Sequence, residues 1–482
     1  MSCGLEVDMT NGSFPKHSWI KNIFSLPVDT TVTASGWAKT RRDAKGFSFI
    51  ELNDGSCRTN LQVIVEQEVV QKLGFDLKQI TPGTSVRVKG ILRASPGKGQ
   101  KVELLAQEIL ILGPCPSESY PIQKKNTSDE YLRTVAHLRP RTNKYGAMLR
   151  IRSALAFAIH KFFQENDFCY VHTPIITCSD CEGAGQMFQV TTLDLNNPPR
   201  QKGKNDIDYS KDFFARRTHL TVSGQLEGEA LASSLGRIYT FGPTFRSENS
   251  NTPRHAAEFW MIEPEMAFYE LEDNMDLAEA FVKSIITQVQ ERCAEDLALF
   301  AKFVDPTLEA TLSNITQNEF ARISYTEAVD ILTQAYQQKK DLFSVAPYWG
   351  LDFGAEHEKF IVEQHFKRPT IIYNYPKEIK AFYMKLNDDQ KTVRGMDLLV
   401  PRIGELIGGS ERETRLPVLE ARMKEIGIEA QDYQWYLDLR RFGSVPHSGF
   451  GLGFERAMML VTGISNIRDV TAFPRTPGSA DF

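Results

Sequence analysis

Two stretches of this 482-residue chain gather side chains that can hold an anion and a flat heterocycle together. The first reads Gly242-Pro-Thr-Phe-Arg246-Ser-Glu248-Asn-Ser-Asn-Thr-Pro-Arg254-His255-Ala-Ala-Glu258-Phe259-Trp-Met-Ile-Glu263-Pro-Glu265. Two apolar runs flank a polar turn, which predicts a β-hairpin with Arg254 and His255 in its loop and Arg246, Glu248 and Glu263 on its strands. Strand alternation puts positions 246 and 248 on one face, and likewise 259, 261, 263 and 265. An Arg suits a phosphate, a Glu accepts from an exocyclic amine and a Phe stacks on a base, so a nucleotide site stands against the plainer reading of a solvated charged hairpin. The second stretch reads Arg440-Arg-Phe-Gly443-Ser-Val-Pro-His447-Ser-Gly449-Phe-Gly451-Leu-Gly453-Phe-Glu455-Arg456. Alternate glycines let a strand approach another backbone or a ligand, and Arg456 opens the helix that follows. The spacing is not that of the dinucleotide fingerprint. Cys178-Ser-Asp-Cys181 has C-x-x-C spacing, but no second Cys or His pair lies at matching distance, so metal or redox use competes with a loop that merely contains two thiols. His357-Glu358 lacks a second His at the helical interval.

These residues need elements to position them. Residues 28–113 carry five short β-rich runs, Thr31 to Trp37, Phe47 to Leu52, Asn60 to Val65, Ser85 to Leu92 and Val102 to Leu105, with turns at Asn53-Asp-Gly and Pro82-Gly and one helix over Glu66 to Leu73. That pattern predicts an all-β OB-type barrel. Residues 1–27 read as an N-terminal extension and 114–135, opening on Gly113-Pro-Cys-Pro, as a hinge. From 136 to 482 long helices alternate with strands such as Arg237 to Phe241, Glu258 to Glu263, Thr370 to Tyr375 and Phe382 to Leu386 without a βαβ period, which predicts an α+β domain on a mostly antiparallel sheet, with 194–213 as a surface insertion. The net charge of −5 excludes indiscriminate coating of nucleic acid but not a local site. Within Gly36 to Asn60 five cations face three anions, a locally positive strand face. No run approaches the length of a bilayer span, Met1 to Asp8 is no basic leader, and seven scattered cysteines suit reduced thiols, so the expected setting is cytoplasmic.

The two clusters resemble motifs 2 and 3 of the class II aminoacyl-tRNA synthetases. Asp167-Phe168-Cys-Tyr-Val-His-Thr-Pro174 resembles motif 1, with Asp where many members have Gly. Val222-Ser-Gly-Gln225-Leu-Glu-Gly228-Glu229-Ala and Gly408-Gly-Ser-Glu-Arg412 extend the similarity, which spans essentially the whole chain and points to the Asp, Asn and Lys subgroup, nearest its asparagine-specific members. The resemblance implies a class II synthetase core behind an OB anticodon-binding domain. It also implies ligation of L-asparagine to tRNA(Asn) with ATP as substrate, through asparaginyl-adenylate, with release of AMP and pyrophosphate. Mg²⁺ and a C2 homodimer built on motif 1 and its preceding helix follow from the same resemblance. By that analogy Arg246 holds the α-phosphate and the amino-acid carboxylate, Arg456 the γ-phosphate and Glu248 the adenine amine, while Phe259 stacks on adenine and Arg254 and His255 close over the phosphates. Asp397 and Glu405 match the acidic Mg²⁺ positions, with Gly408 where a small hydroxyl residue often accompanies that Glu. His447 is expected beside the substrate.

Aspartyl relatives carry a Lys after the Gln-Leu step, paired with an Asp at the end of motif 2; here Gly228 and Glu263 occupy those places. Arg412 donating to the carbonyl of the substrate's amide and Glu263 accepting from its NH₂ suit asparagine, whereas aspartate meets Glu263 with like charge. Glu182 and Gln225 are expected at the α-amino group. In the barrel, Arg41 and Arg42 are expected on the RNA backbone, Phe49 stacked on an unpaired base and Gln62 on the central uridine edge, with Glu103 matching a third-base reader of aspartyl enzymes. An aspartyl or non-discriminating synthetase and a catalytically silent tRNA-binding paralogue are the rival readings.

Overall fold

The computed structural model describes residues 17–97, 99–122, 127–181 and 187–482, and the protein divides after Ala147 into two compact units. In the first, β1 (Thr31–Ala44), β2 (Phe47–Asn53), β3 (Leu61–Glu66), β4 (Ser85–Ala94) and β5 (Val102–Gly113) close a barrel in the order β1-β2-β3-β5-β4. Alternation of side chains builds it: Val32, Ala34, Ile50, Leu52, Val63 and Val65 point inward and are fully or almost fully buried. Ile20 and Ile23, from a short helix ahead of β1, are wholly buried in the same core, so barrel packing begins before Val28 rather than after an extension. A helix over Asp129–Thr134, capped by Ser128 Oγ accepting from Tyr131 N at 3.2 Å, lies within the stretch expected to be a hinge.

The helix Asn143–Glu165, which lies in the second unit from Met148 on, buries Met148, Ile151, Leu155 and Ile159 at three- and four-residue intervals. That unit's strands are β6 (Cys169–Tyr170), β7 (Ile176–Thr177), β8 (Gln189–Val190), β9 (Thr218–Leu220), β10 (Arg237–Phe245), β11 (Glu258–Ala267), β12 (Ala321–Ser324), β13 (Thr370–Pro376), β14 (Thr392–Val400), β15 (Gly404–Glu411) and β16 (His447–Gly453). Eight of them form one sheet, β12-β13-β14-β15-β16-β11-β10-β6, antiparallel except at β12·β13 and β10·β6, and β7-β9-β8 form a small second sheet. The expected strand over Phe382 to Leu386 is absent: Met384 and Leu386 make only isolated bridges, to Arg412 and Val393. Their apolar run serves packing instead, since Phe382, Tyr383, Met384 and Leu386 are buried with Leu419, Met423, Tyr436 and Leu437 in a satellite core.

The motif hairpin forms as β10 and β11, in register from Arg237↔Met266 to Phe245↔Glu258. Arg246 and Glu248 therefore lie just past the strand end, in the connecting loop, and not on the strand itself. The alternate glycines of β16 answer close contacts. A Cβ at Gly449 would stand 2.3 Å from the Glu265 carboxyl, and one at Gly451 would stand 2.7 Å from Met261 Cε.

In the barrel, a Cβ at Gly90 would come within 2.1 Å of the Leu105 carbonyl oxygen, where β4 and β5 shift register. Gly90→Ala is expected to cost about 2–3 kcal/mol, the upper range of overpacking. Hydrogen exchange should then quicken in β4 and β5 while amides of β11 and β16 keep their protection; unchanged barrel protection would refute the close contact.

Candidate active site

Two cavities open on the large sheet and share Arg246, Met261, Glu405 and Gly451 as a common wall. The first gathers Arg246, Glu248, Arg254, His255, Phe259, Glu405 and Arg456, the complete set expected at a nucleotide. The Arg246 guanidinium lies 5.5 Å from the Phe259 ring centroid. Arg456 donates from Nη1 to the Glu405 carbonyl at 2.9 Å and to its Oε2 at 3.3 Å. It stands on the first turn of the helix Phe454–Thr462, whose start is pinned by Glu455 accepting from Arg152 Nη2 at 2.7 Å and Trp260 N at 3.0 Å. Within the loop, the His255 ring nitrogen Nδ1 sits 2.6 Å from Thr252 Oγ1 and 3.0 Å from Ser250 Oγ.

The second cavity is lined by Ser223, Gln225, Glu263, Glu265, Lys380 and Arg412, among others. Arg412 is buried and meets Glu265 in a two-point contact, Nη2 to Oε1 at 2.5 Å and Nε to Oε2 at 3.2 Å, with Glu229 Oε1 3.9 Å from Nε. Glu229 accepts from Arg440 Nη2 at 2.7 Å, Tyr436 Oη at 2.9 Å and Gln225 Nε2 at 3.0 Å, and His447 Nε2 lies 2.9 Å away. Burial alone would raise the Glu229 carboxyl, but Arg440, His447 and Arg412 hold it well below the ordinary carboxylate range. Burial pushes the Glu265 carboxyl up against the pull of Arg412, with Glu229 and Glu263 adding like charge. Arg412 itself is driven further toward the charged form by Glu265 and Glu229, which outweigh its burial. The two-point contact fits an ionised pair, so the rise marks Glu265 as the member of the cluster easiest to protonate.

The structure relocates several expected residues. His447 is not on the wall of these two cavities: its Nδ1 meets the Val445 carbonyl at 2.9 Å and its Nε2 meets Glu229, which places it in the buried support beneath Arg412. Glu263 does face the second cavity, but both its oxygens are already fixed, by Ser223 Oγ, by Gly224 N at 3.0 Å and by Thr240 Oγ1 at 3.1 Å. A side group at 228 would have Glu265 Cγ and Ile238 Cδ1 as its nearest neighbours, at 3.4 and 3.5 Å, rather than Glu263. Gln225 keeps Oε1 without a hydrogen-bond partner among the described residues. Glu182 lies outside the described residues; its neighbour Cys181 is buried on the cavity wall and Cys178 is exposed.

At the junction, Asp397 and Glu405 converge over Gly408, where a Cβ would lie 3.6 Å from Asp397 Oδ1 and 3.0 Å from Glu405 Oε1. Lys380 Nζ bonds both Asp397 oxygens, at 2.8 and 2.6 Å. Burial opposes ionisation of Glu405, yet Arg456, Lys380 and Arg246 lower it; Asp397, under the same burial and beside Glu405, stays raised despite Lys380. Sequence reasoning missed Lys380, Glu265, Arg440 and Tyr436. Glu265 and Arg440 stood inside the two quoted motifs, whereas nothing local marks Lys380.

On the barrel's outer face, Arg42 lies opposite Phe49, with its guanidinium 5.8 Å from the ring, and Phe49 packs edge to face on Phe47 at 5.1 Å. Gln62 donates to Glu103 Oε2 at 3.0 Å. Arg41 also braces the barrel: its Nη1 donates to the Leu77 carbonyl at 2.7 Å and its Nε pairs with Asp43 at 3.4 Å.

Comparison with known proteins agrees with this geometry. A family profile described as tRNA synthetases class II (D, K and N) matches residues 128–477, and one described as OB-fold nucleic acid binding domain matches 32–112. The asparagine–tRNA ligase of Oleidesulfovibrio alaskensis is 59% identical over 460 residues, covering 95% of this chain and 97% of the relative. That of a Nostoc species is 55% identical over 454 residues, covering 94% and 97%. The crystal structure of asparaginyl-tRNA synthetase from Pyrococcus horikoshii complexed with asparaginyl-adenylate superposes with a TM-score of 0.82 at 31% identity, covering 97% of this chain and 100% of that one. By profile, by length and by fold, the chain belongs to the class II tRNA synthetases, among the asparagine–tRNA ligases.

Proposed function

We propose that this protein activates L-asparagine with ATP and passes the asparaginyl group to tRNA(Asn). The observation that carries the reading is the shared wall: a cavity suited to a nucleotide and a cavity suited to an amide meet at Arg246. A carboxylate held in the second cavity attacks the α-phosphorus of a nucleotide held in the first. The new C–O–P bond forms as the bond to pyrophosphate breaks, and charge gathers on phosphate oxygens at the point where Arg246 stands. The terminal adenosine of tRNA(Asn) then attacks the acyl carbon through its 3′-hydroxyl, and AMP leaves. Phe259 stacks the adenine, Glu248 accepts from its amine and Arg456 meets the γ-phosphate, with Arg254 and His255 offered by the loop. Asp397 and Glu405, converging over Gly408, suit Mg²⁺, which takes one or two carboxylates together with phosphate oxygens and when bound offsets phosphate charge.

Selectivity follows from two fixed groups. Arg412, locked by Glu265, presents a donor to the carbonyl of the substrate's amide. Glu263, with three of its roughly four lone-pair directions filled, keeps one for the amide NH₂. Aspartate would place a second anion against Glu263. Gln225 Oε1 is free to accept from the α-ammonium. Arg42, Phe49 and Gln62 offer the anticodon a cation, a ring and a polar edge. No described helix is long and apolar enough to cross a membrane, and we read the setting as cytoplasmic.

Three outcomes test this. Pyrophosphate exchange should depend on asparagine and run at least about 100-fold slower with aspartate, the loss that roughly 3 kcal/mol of unfavourable pairing produces; comparable rates would defeat the pocket account. Glu229→Gln keeps the shape but removes the charge that Arg440 and Arg412 share, so the KM for asparagine should rise about tenfold or more while the KM for ATP holds; equal shifts in both would mean a general collapse. We also propose a C2 dimer through motif 1 and its preceding helix, where Phe157 is 52% exposed and Tyr170, Ile175 and Ile176 are exposed too. Sedimentation should give twice the monomer mass, and a concentration-independent monomer would contradict it.

A further inference from the structure

Beyond the two cavities, one surface is built in a way that folding does not explain. Phe213 and Phe214 are 75% and 45% exposed, with their rings edge to face at 4.8 Å. The turn that carries them is braced. Asp212 is buried and accepts from Thr191 Oγ1 at 2.6 Å, Thr192 N at 2.9 Å, Thr192 Oγ1 at 3.0 Å and Phe213 N at 2.8 Å. Ala215 adopts a positive φ of 52°, which closes the turn. Arg216 and Arg217 follow, both exposed, and among the described residues neither guanidinium has a hydrogen-bond or ion-pair partner. Across residues 194–217 six cations face four acidic residues, in a protein whose net charge is −5.

We propose that Phe213, Phe214, Arg216 and Arg217 form a stacking platform for the unpaired 3′ strand of the tRNA, upstream of the terminal adenosine. The proposal rests on the synthetase reading above and adds a docking site to it. Aromatic rings with adjacent cations are what a single strand of unstacked bases and phosphates requires, and the pairing tolerates any sequence. Exposed rings alone would suit a protein surface equally well; two arginines unpaired among the described residues and the local positive balance favour a polyanion. Distance is consistent. β9 leads from Arg217 to Ser223 on the wall of the amino-acid cavity in six residues, a reach of at most about 20 Å. A strand whose last nucleotide enters that cavity can lay its preceding bases on the platform.

The test uses the full-length enzyme with Phe213→Ala/Phe214→Ala and, separately, Arg216→Gln/Arg217→Gln. Pyrophosphate exchange with asparagine, which needs no tRNA, should stay within about twofold of wild type. The kcat/KM for charging tRNA(Asn) should fall about tenfold or more, and should fall equally for an acceptor-stem minihelix that lacks the anticodon. Phe213→Tyr/Phe214→Tyr should restore charging, and the arginine variant should flatten the salt dependence of the tRNA KM. Normal charging by both variants would overturn the platform, as would exchange falling in step with charging. Loss of assembly in sedimentation would overturn it too and assign the surface to a second copy of the protein. A wild-type enzyme that charges no tRNA would remove the parent reading, whereas variants that match a charging wild type remove the platform alone.

Discussion

Arg412 is a permanently charged group buried in the centre of the large unit, and an isolated guanidinium there would be prohibitively costly. Glu265 and Glu229 make it tenable, the first by a two-point contact and the second at 3.9 Å. Glu229 in turn is held by Arg440, Tyr436, Gln225 and His447, drawn from three different elements. The consequence reaches the backbone. Glu265 occupies the space where a Cβ at residue 449 would lie, so β16 must carry glycine there, and β16 is the strand that delivers Arg456 to the nucleotide cavity. One strand thus packs against the charge cluster through Gly449 and leads on to Arg456.

On the proposed reading, this arrangement lets a pocket rich in carboxylates select a neutral side group. Glu229 and Glu265 spend their charge on Arg412 and Arg440, and Glu263 is immobilised by Ser223, Gly224 and Thr240. A substrate therefore meets oriented dipoles and one guanidinium with its counter-charge already supplied. An added carboxylate finds no unmatched cation, and the desolvation it suffers is not returned. Lys380 does for Asp397 what Glu265 does for Arg412, neutralising a buried charge at the junction of the two cavities.

Much of this is legible in the residues, because short-range rules govern it. Alternation in the barrel strands, the polar turn between β10 and β11, and the three- and four-residue stripe of the helix Asn143–Glu165 all express one buried face per element. What escapes is decided by three-dimensional neighbours. Arg41 has the look of an RNA ligand and also turns to the Leu77 carbonyl of a short 3-10 helix, 36 residues away. His447 stands amid a motif yet faces inward, and Lys380 finds Asp397 only because the backbone folds back there. Phe382 to Leu386 has the composition of a strand but is recruited by a side core. In each case the local pattern permits two outcomes and a distant partner chooses.

On the proposed reading, Arg412 and Glu263, each fixed before substrate arrives, read the two ends of an amide. The most direct measurement is a crystal structure of the full-length protein bound to a non-hydrolysable asparaginyl-adenylate analogue. The predicted result is the amide oxygen within hydrogen-bond distance of an Arg412 nitrogen, the amide nitrogen on a Glu263 oxygen, and the Arg412–Glu265 contact unbroken. An amide turned away from both residues, or an Arg412 that leaves Glu265 to reach the ligand, would contradict it.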